Sequence, residues 1–147
     1  MKKRLVKKMK ETEELMSELI NDNNVETYFL NNKEDLFNKD QADHLNALLK
    51  KYNLTKSEVI SNSGLNNKYA YHIFSGVRVP SRDKVISLAF GFKMNLKDTQ
   101  RLLKFFKYSE LYSRDERDCI IILAIENHKN LVDTNIDLDK YNKDIIE

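Results

Sequence analysis

The sequence predicts an all-α protein. Apolar residues recur at helical spacing along most of the chain, and the period-two alternation of half-buried strands is absent. Only three glycines and one proline occur in 147 residues, so few positions interrupt a helix. Ser, Thr and Asn residues stand directly ahead of several apolar segments, where they can cap helix N-termini.

The composition predicts a protein of the cytoplasm with no membrane partner. The length suits one ordinary domain with helical additions. A single cysteine, Cys119, excludes an internal disulfide framework and fits a reducing compartment. The longest apolar run, Cys119–Ile125, is far shorter than the roughly 20 residues needed to cross a bilayer.

Charge is unevenly distributed along the chain. Residues 1–10 carry six basic groups and no acid, whereas residues 11–44 carry ten acids and two lysines, a net charge of −8. The remaining residues carry 17 basic and 13 acidic groups, a net charge of +4. The basic cluster has three interpretations: a DNA-contacting arm, an amphipathic helix docked on the body or a partner, or a solvated end. The acidic segment makes residues 1–44 one candidate surface for a protein partner, and residues 108–147 are the other.

Of the three segments before the central window, the first and the third have apolar residues at helical spacing. Residues 1–20 place apolar side chains along one stripe, and the Asn-rich segment Asn21–Asn24 predicts a turn. Val25–Phe37 is ambiguous, with a short helix around Thr27–Leu30. Gln41–Tyr52 has leucines at helical spacing.

The window from Thr55 to Ser81 contains two of the glycines and the proline. Thr55 and Glu58 have the spacing of a capping box, which starts a helix. Gly64 ends that helix, because glycine adopts the left-handed backbone of a sharp turn at low cost. Asn66 then caps a second helix that runs to about Ser75. The segment closes with Gly76, which ends the second helix, Pro80, which fixes the loop exit, and Ser81, which starts the next helix.

The remaining elements follow the same logic. Asn95 caps a further helix, and Ser113 with Glu116 predicts a second capping box ahead of Cys119–Ile125. The isoleucines of that run also suit a buried strand, but the box and the charged residues before it favour a helix. A final helix is predicted over Leu131–Tyr141.

The helix after Gly64 has two chemically different halves. At about 100° per residue, one half is polar and contains no carboxylate, as a surface that meets phosphates should. The polar half holds Asn67, Lys68, Tyr71 and His72. The other half faces a core and holds Tyr69, Ala70, Ile73 and Phe74.

The central window resembles the Cro/C1-type (XRE-like) helix-turn-helix regulators over about residues 41–107. The matching positions are Thr55, Glu58, Val59, Gly64, Leu65, Ile73, Gly76, Arg78, Pro80 and Ser81. Ile60 departs from the usual alanine at the tight helix crossing, and Lys56 replaces a frequent glutamine. The resemblance implies a lambda-repressor-like, five-helix DNA-binding domain at 41–107. Residues 1–40 and 108–147 would be helical extensions to that domain.

Side-chain chemistry suggests roles for the residues in and around this helix. Asn67 can pair with adenine, Lys68 can donate to guanine, and His72 can reach a base edge or a thymine methyl group. Tyr71 shares the reading face, and its phenol also suits a phosphate. The predicted phosphate contacts are Lys56, Asn66, Ser75, Arg78, Arg82 and Lys84.

A single helix-turn-helix makes few contacts, so such proteins usually bind double-stranded DNA as homodimers over two half-sites. The apolar segment Ile120–Ile125 makes residues 108–147 the candidate dimerisation region. It can instead pack against Leu102–Phe106 within one chain.

No enzymatic constellation is evident. His44, His72 and His128 lie far apart in sequence, so no metal site and no cofactor are expected. Cys119 is expected in the core. The resemblance, together with the carboxylate-free polar face of the second helix, predicts a sequence-specific DNA-binding transcriptional regulator, a repressor. The alternative is a helix-turn-helix module that binds protein, such as an antitoxin, anti-repressor or scaffold.

Overall fold

The computed structural model describes residues 10–32 and 39–147. Within these residues it contains nine α-helices and no strand, which confirms the predicted all-α class. The chain forms two compact units, Met1–Asn38 and Lys39–Glu147. No helix in the two described ranges is long and apolar enough to cross a lipid bilayer.

The described part of the first unit consists of α1 (Thr12–Asp22) and α2 (Val25–Asn31). Asn23 ends α1 with a left-handed backbone (φ 47°), and the Asn24 side chain accepts the N–H of Thr27 to start α2. The predicted Asn-rich turn is therefore present. The basic cluster, apart from Lys10, and the end of the ambiguous segment lie outside the described residues.

Three polar side chains link the two helices of the first unit. Lys10 donates to Glu18 Oε1 at 2.6 Å and to Asn32 Oδ1 at 2.8 Å. The amide of Asn32 in turn donates to Glu18 Oε2 at 2.8 Å. These hydrogen bonds from Lys10 and Asn32 favour the charged carboxylate and lower the pKa of Glu18.

The second unit contains seven helices. They are α3 (Lys39–Tyr52), α4 (Lys56–Ser63), α5 (Asn67–Phe74), α6 (Arg82–Gly91), α7 (Leu96–Phe105), α8 (Glu116–Glu126) and α9 (Leu131–Lys140). Side-chain oxygens cap α4, α5, α6 and α7 by accepting a backbone N–H of the first turn, as the sequence predicts. The capping residues are Thr55, Asn66, Ser81 and Asn95.

Helix α6 is the centre of the second unit. All residues from Val85 to Gly91 are buried, so this helix is covered by neighbours on every side along most of its length. It packs against α4 and α7. The largest fully buried side chains around it include Phe74, Phe92, Leu45 and Leu103.

The C-terminal residues share this core. Ile121 and Ile125 of α8, Leu138 of α9 and Ile146 are buried in the same apolar cluster as the side chains of α3 to α7. Arg117 also pairs with Asp83 at the start of α6, with Nη2 at 2.9 Å from Oδ2. The extension predicted at residues 108–147 is thus packed as part of the second unit.

Two predictions for α8 are wrong. The N-cap is Asp115, whose carboxylate accepts the N–H of Asp118 at 2.8 Å; Ser113 does not form the predicted capping box. Asp115 directly precedes the first helical residue, so Glu116 falls two positions short of the box register. Cys119 is only partly buried, and its thiol lies 3.0 Å from the carbonyl of Ser113. The preference for helix over strand in Cys119–Ile125 is correct.

Helices α3 and α7 meet through an aromatic stack that should make stability depend on pH. The ring of His44 lies on that of Phe105, with centroids 3.9 Å apart and planes 10° from parallel. Burial disfavours the imidazolium and lowers the pKa of His44 below its usual 6.5. As pH falls through 6.5, the unfolded chain therefore takes up a proton before the folded one, and the protein loses stability.

We expect His44→Phe to reduce this loss, since phenylalanine keeps the stack but does not titrate. Urea unfolding measured at about pH 7.5 and about pH 5 should show a smaller decrease in the free energy of unfolding for the variant. The variant and the unaltered protein share all other titrating groups, so the difference between their decreases is due to His44. Equal decreases would contradict a lowered pKa at His44.

Candidate nucleic-acid interface

A sharp turn between α4 and α5 sets the direction of α5. Thr55 Oγ1 accepts the N–H of Glu58 at 3.2 Å and starts α4. Gly64 ends it with φ at +68°, a backbone region that is strained for other residues. Ser63 Oγ accepts the N–H of Leu65 at 3.2 Å, and Asn66 Oδ1 then accepts the N–H of Tyr69 at 3.3 Å to start α5. The left-handed Gly64 and the two hydrogen bonds of Ser63 and Asn66 therefore fix where α5 begins.

Helix α5 has the two faces that its sequence predicts. Ala70, Ile73 and Phe74 are completely buried. Asn67, Lys68 and Tyr71 are exposed, and His72 is partly exposed. Neither α5 nor the loop that follows it contributes an acidic residue, because the sequence from Val59 to Arg82 contains no Asp or Glu. The exposed face offers an amide, an ammonium, a phenol and an imidazole.

Lysines from the two neighbouring helices lie against α5. The ammonium of Lys56 in α4 is 6.0 Å from the ring centroid of Phe74, and that of Lys84 in α6 is 5.7 Å from the ring of Tyr69. Both contacts are with side chains of the half of α5 that was predicted to face the core. Arg78, in the loop after α5, is exposed.

Two smaller predicted phosphate contacts have local structural roles as well. The side chain of Asn66 caps α5, as described above, and the residue is exposed. Ser75 is also exposed, and its hydroxyl donates to the carbonyl of His72 at 3.2 Å. Both remain at the surface beside α5.

Arg82 differs from the other predicted phosphate contacts. Its guanidinium donates to both carboxylate oxygens of Asp118, from Nη1 at 3.2 Å and from Nη2 at 3.0 Å. It also donates to the carbonyls of Ser109 and Glu110, each at 3.1 Å. The structure therefore uses the Arg82 side chain to join α6 to α8, and this geometry does not support the predicted phosphate contact.

The sequence did not indicate the role of Gln41. This side chain is buried in α3, and its Nε2 donates to the carbonyls of Ile73 and Arg78, both at 2.8 Å. One amide thus holds the end of α5 and the loop carrying Arg78 at a fixed distance. The only signal in the sequence was a polar residue on the apolar stripe of a predicted helix.

The sequence also did not indicate that two valines in the same loop are exposed. Val77 and Val79 are 44% and 61% exposed and flank Arg78. The loop is held by the N–H groups of Val77 and Arg78, which both donate to the carbonyl of His72. Tyr108 supports the loop exit by donating its hydroxyl to the carbonyl of Pro80 at 2.7 Å. Apolar and cationic side chains therefore extend the exposed face beyond α5.

The described residues contain no candidate metal site. Across residues 10–32 and 39–147, no group of three or more His, Cys, Asp or Glu side chains could hold a metal ion. No family model, curated protein or solved structure matches the chain. The functional proposal therefore rests on the geometry and chemistry of α5 and its surroundings.

Proposed function

We propose that this chain is a sequence-specific DNA-binding transcriptional regulator of the Cro/C1 type. Helices α3 to α7 would form its five-helix domain, and α5 would enter the major groove. The observation that carries this proposal is the exposed face of α5, which contains hydrogen-bonding groups but no carboxylate, in a helix against which lysines of α4 and α6 also lie. Such a surface combines base recognition with attraction to phosphates.

Each residue has a role in this proposal. Asn67 and Lys68, in the first turn of α5, would contact base edges, because the N-terminal residues of a recognition helix usually do so. Tyr71 and His72 would extend that contact along the groove. The proposed phosphate contacts are Lys56, Asn66, Ser75, Arg78 and Lys84.

The regulator would act as a cytoplasmic homodimeric repressor that occupies an operator. Two half-sites about 34–36 Å apart would then bind two copies of α5. Exposed apolar residues on the last two helices support dimerisation through residues 108–147. Leu123 is 62% exposed, and Val132 and Ile136, one turn apart on α9, are 67% and 60% exposed.

The experiment that tests base recognition compares two kinds of variant on selected and random DNA. An operator is first selected from a random duplex pool. Lys68→Ala and Asn67→Ala should each weaken operator binding by about 1–3 kcal/mol and relax the preference at one position. Arg78→Ala should weaken operator and random DNA alike and reduce the slope of log K against log salt by about 1.

The two kinds of variant are matched, since Lys68 and Arg78 are both exposed cations in the same unit. Fluorescence anisotropy at two salt concentrations measures both effects. Equal losses of affinity for operator and random DNA in every variant would contradict base recognition by α5. Two half-sites about 34–36 Å apart in the selected DNA would indicate that the protein binds as a dimer.

A second candidate function is binding to another protein, such as that of an antitoxin, anti-repressor or scaffold. The first unit favours it, because residues 10–32 contain six acids and one lysine and leave large apolar side chains uncovered. Those more than half exposed are Met16, Ile20, Val25, Phe29 and Leu30. A basic, amphipathic partner would match both properties. Absence of DNA binding even at low salt would favour this function.

A further inference from the structure

Exposed apolar side chains are concentrated in and directly after α5. Across residues 39–111, all of which the structure describes, only three large apolar or aromatic side chains are exposed. They are Tyr71 in α5 and the two valines of the loop that follows it, Val77 and Val79. Single exposed apolar residues are common on protein surfaces, but these three lie within nine residues of sequence. The proposed DNA-binding surface therefore has an apolar component that the neighbouring helices lack.

The backbone of the loop is held in place around the two valines. The N–H groups of Val77 and Arg78 donate to the carbonyl of His72 at 2.9 and 3.1 Å. The carbonyl of Arg78, directly before Val79, accepts Nε2 of the buried Gln41 at 2.8 Å. A partner that meets these valines therefore does not have to order the loop first, which lowers the cost of binding.

The charges around the valines favour an anionic partner. Arg78 lies between them in sequence and is exposed, as is Lys68 in the first turn of α5. The sequence from Val59 to Arg82 provides no Asp or Glu to neutralise either cation. A partner surface that meets the loop should therefore combine negative charge with apolar groups. The major groove of duplex DNA has both, since phosphates line it and thymine methyl groups project into it.

Thymine is the base that an exposed valine can distinguish. In the major groove, the edges of guanine, adenine and cytosine present hydrogen-bonding groups, and thymine adds a C5-methyl group. A valine side chain has two methyl groups and no polar atom, so it cannot pair with the hydrogen-bonding groups. It can remove the thymine methyl group from water, and cytosine at the same position has no such group.

We propose that Val77 and Val79 contact thymine methyl groups of the operator and so select thymine beside the base pairs read by α5. This inference rests on the function proposed above and adds a second reading element to it. Asn67 and Lys68 recognise bases by hydrogen bonds, whereas the loop recognises them by apolar contact. Burial of one methyl group corresponds to about a fourfold gain in affinity.

The test removes the methyl groups from the DNA one at a time. Each thymine of the selected operator is replaced in turn by deoxyuridine, which keeps the base pairing and the phosphate charge. With the unaltered full chain, we expect at least one thymine in each half-site at which this replacement weakens binding about fourfold. In Val77→Ala or Val79→Ala, binding to the thymine operator should weaken by a similar factor, and the same replacement should then have little effect.

Arg78→Ala is the matched control, because Arg78 lies between the two valines in the same loop and is also exposed. Its proposed contact is with a phosphate, so its loss should weaken binding to the thymine and the deoxyuridine operator by the same factor. The ratio of the two affinities should therefore stay at about four in Arg78→Ala and approach one in the valine variant. Thermal unfolding shows that all three variants are folded.

The outcomes separate this inference from the proposed function. Operator binding in which no thymine responds to loss of its methyl group would overturn the inference and leave DNA recognition by α5 standing. The same holds if the affinity ratio is unchanged in both valine variants. Absence of DNA binding even at low salt would overturn the proposed function, and this inference with it.

Discussion

Replacing Arg82 with alanine should lower the free energy of unfolding by about 3–5 kcal/mol. Its partner Asp118 is only 6% exposed and accepts both guanidinium bonds. Without the cation, a buried carboxylate would keep the N–H of Tyr112, at 3.0 Å, but lose its opposite charge. Two carbonyls, of Ser109 and Glu110, would lose their donor as well. Urea unfolding followed by circular dichroism measures the change.

Arg78→Ala is the matched control for this prediction. Both arginines are predicted phosphate contacts, but Arg78 is exposed, so its replacement should change stability by less than about 0.5 kcal/mol. The double variant Arg82→Met with Asp118→Leu should recover much of the lost stability, because it removes the unpaired charge. An Arg82→Ala protein as stable as Arg78→Ala would show that the pair contributes little.

Gly91→Ala should lower the free energy of unfolding by about 3 kcal/mol, the upper end of the usual range for an overpacked core. A Cβ at this position would lie 2.5 Å from the carbonyl oxygen of Val59 and 3.0 Å from the Cβ of Ser63. The oxygen belongs to the backbone of α4, so a side-chain rotation cannot relieve the contact. Helices α4 and α6 would have to separate.

The sign of the effect is itself informative at Gly91. In an open helix position, alanine would stabilise by about 0.5–1 kcal/mol relative to glycine. Thermal unfolding of the variant therefore distinguishes a close helix crossing from an ordinary helical site. An unchanged or raised melting temperature would contradict the contact between α4 and α6.

Local chemistry explains which parts of this structure could be predicted from the sequence. The caps at Thr55, Asn66, Ser81 and Asn95 each depend on a side chain and a backbone N–H within one helical turn. The turn at Gly64 could be predicted from the backbone preference of glycine alone. The two faces of α5 followed from helical periodicity.

Contacts between distant residues could not be predicted. Arg82 and Asp118 are 36 positions apart, and Gln41 lies 32 and 37 positions from the carbonyls that it binds. No short-range pattern distinguishes an arginine that will find a buried carboxylate from one that remains exposed. The N-cap of α8 was predicted wrongly for a different reason: Ser113 and Asp115 are both good capping residues, and residue type alone does not distinguish them.

The shared core of the second unit bears on how the proposed dimer would measure DNA. Ile121, Ile125 and Leu138 are buried with the side chains that support α5, so α8 and α9 are not a flexible tether. A contact between two copies through Val132 and Ile136 would fix the distance between their α5 helices rigidly. One additional base pair between half-sites shifts the second site by 3.4 Å and rotates it by about 34°. Such a dimer would therefore discriminate operators by their spacing as well as by their bases.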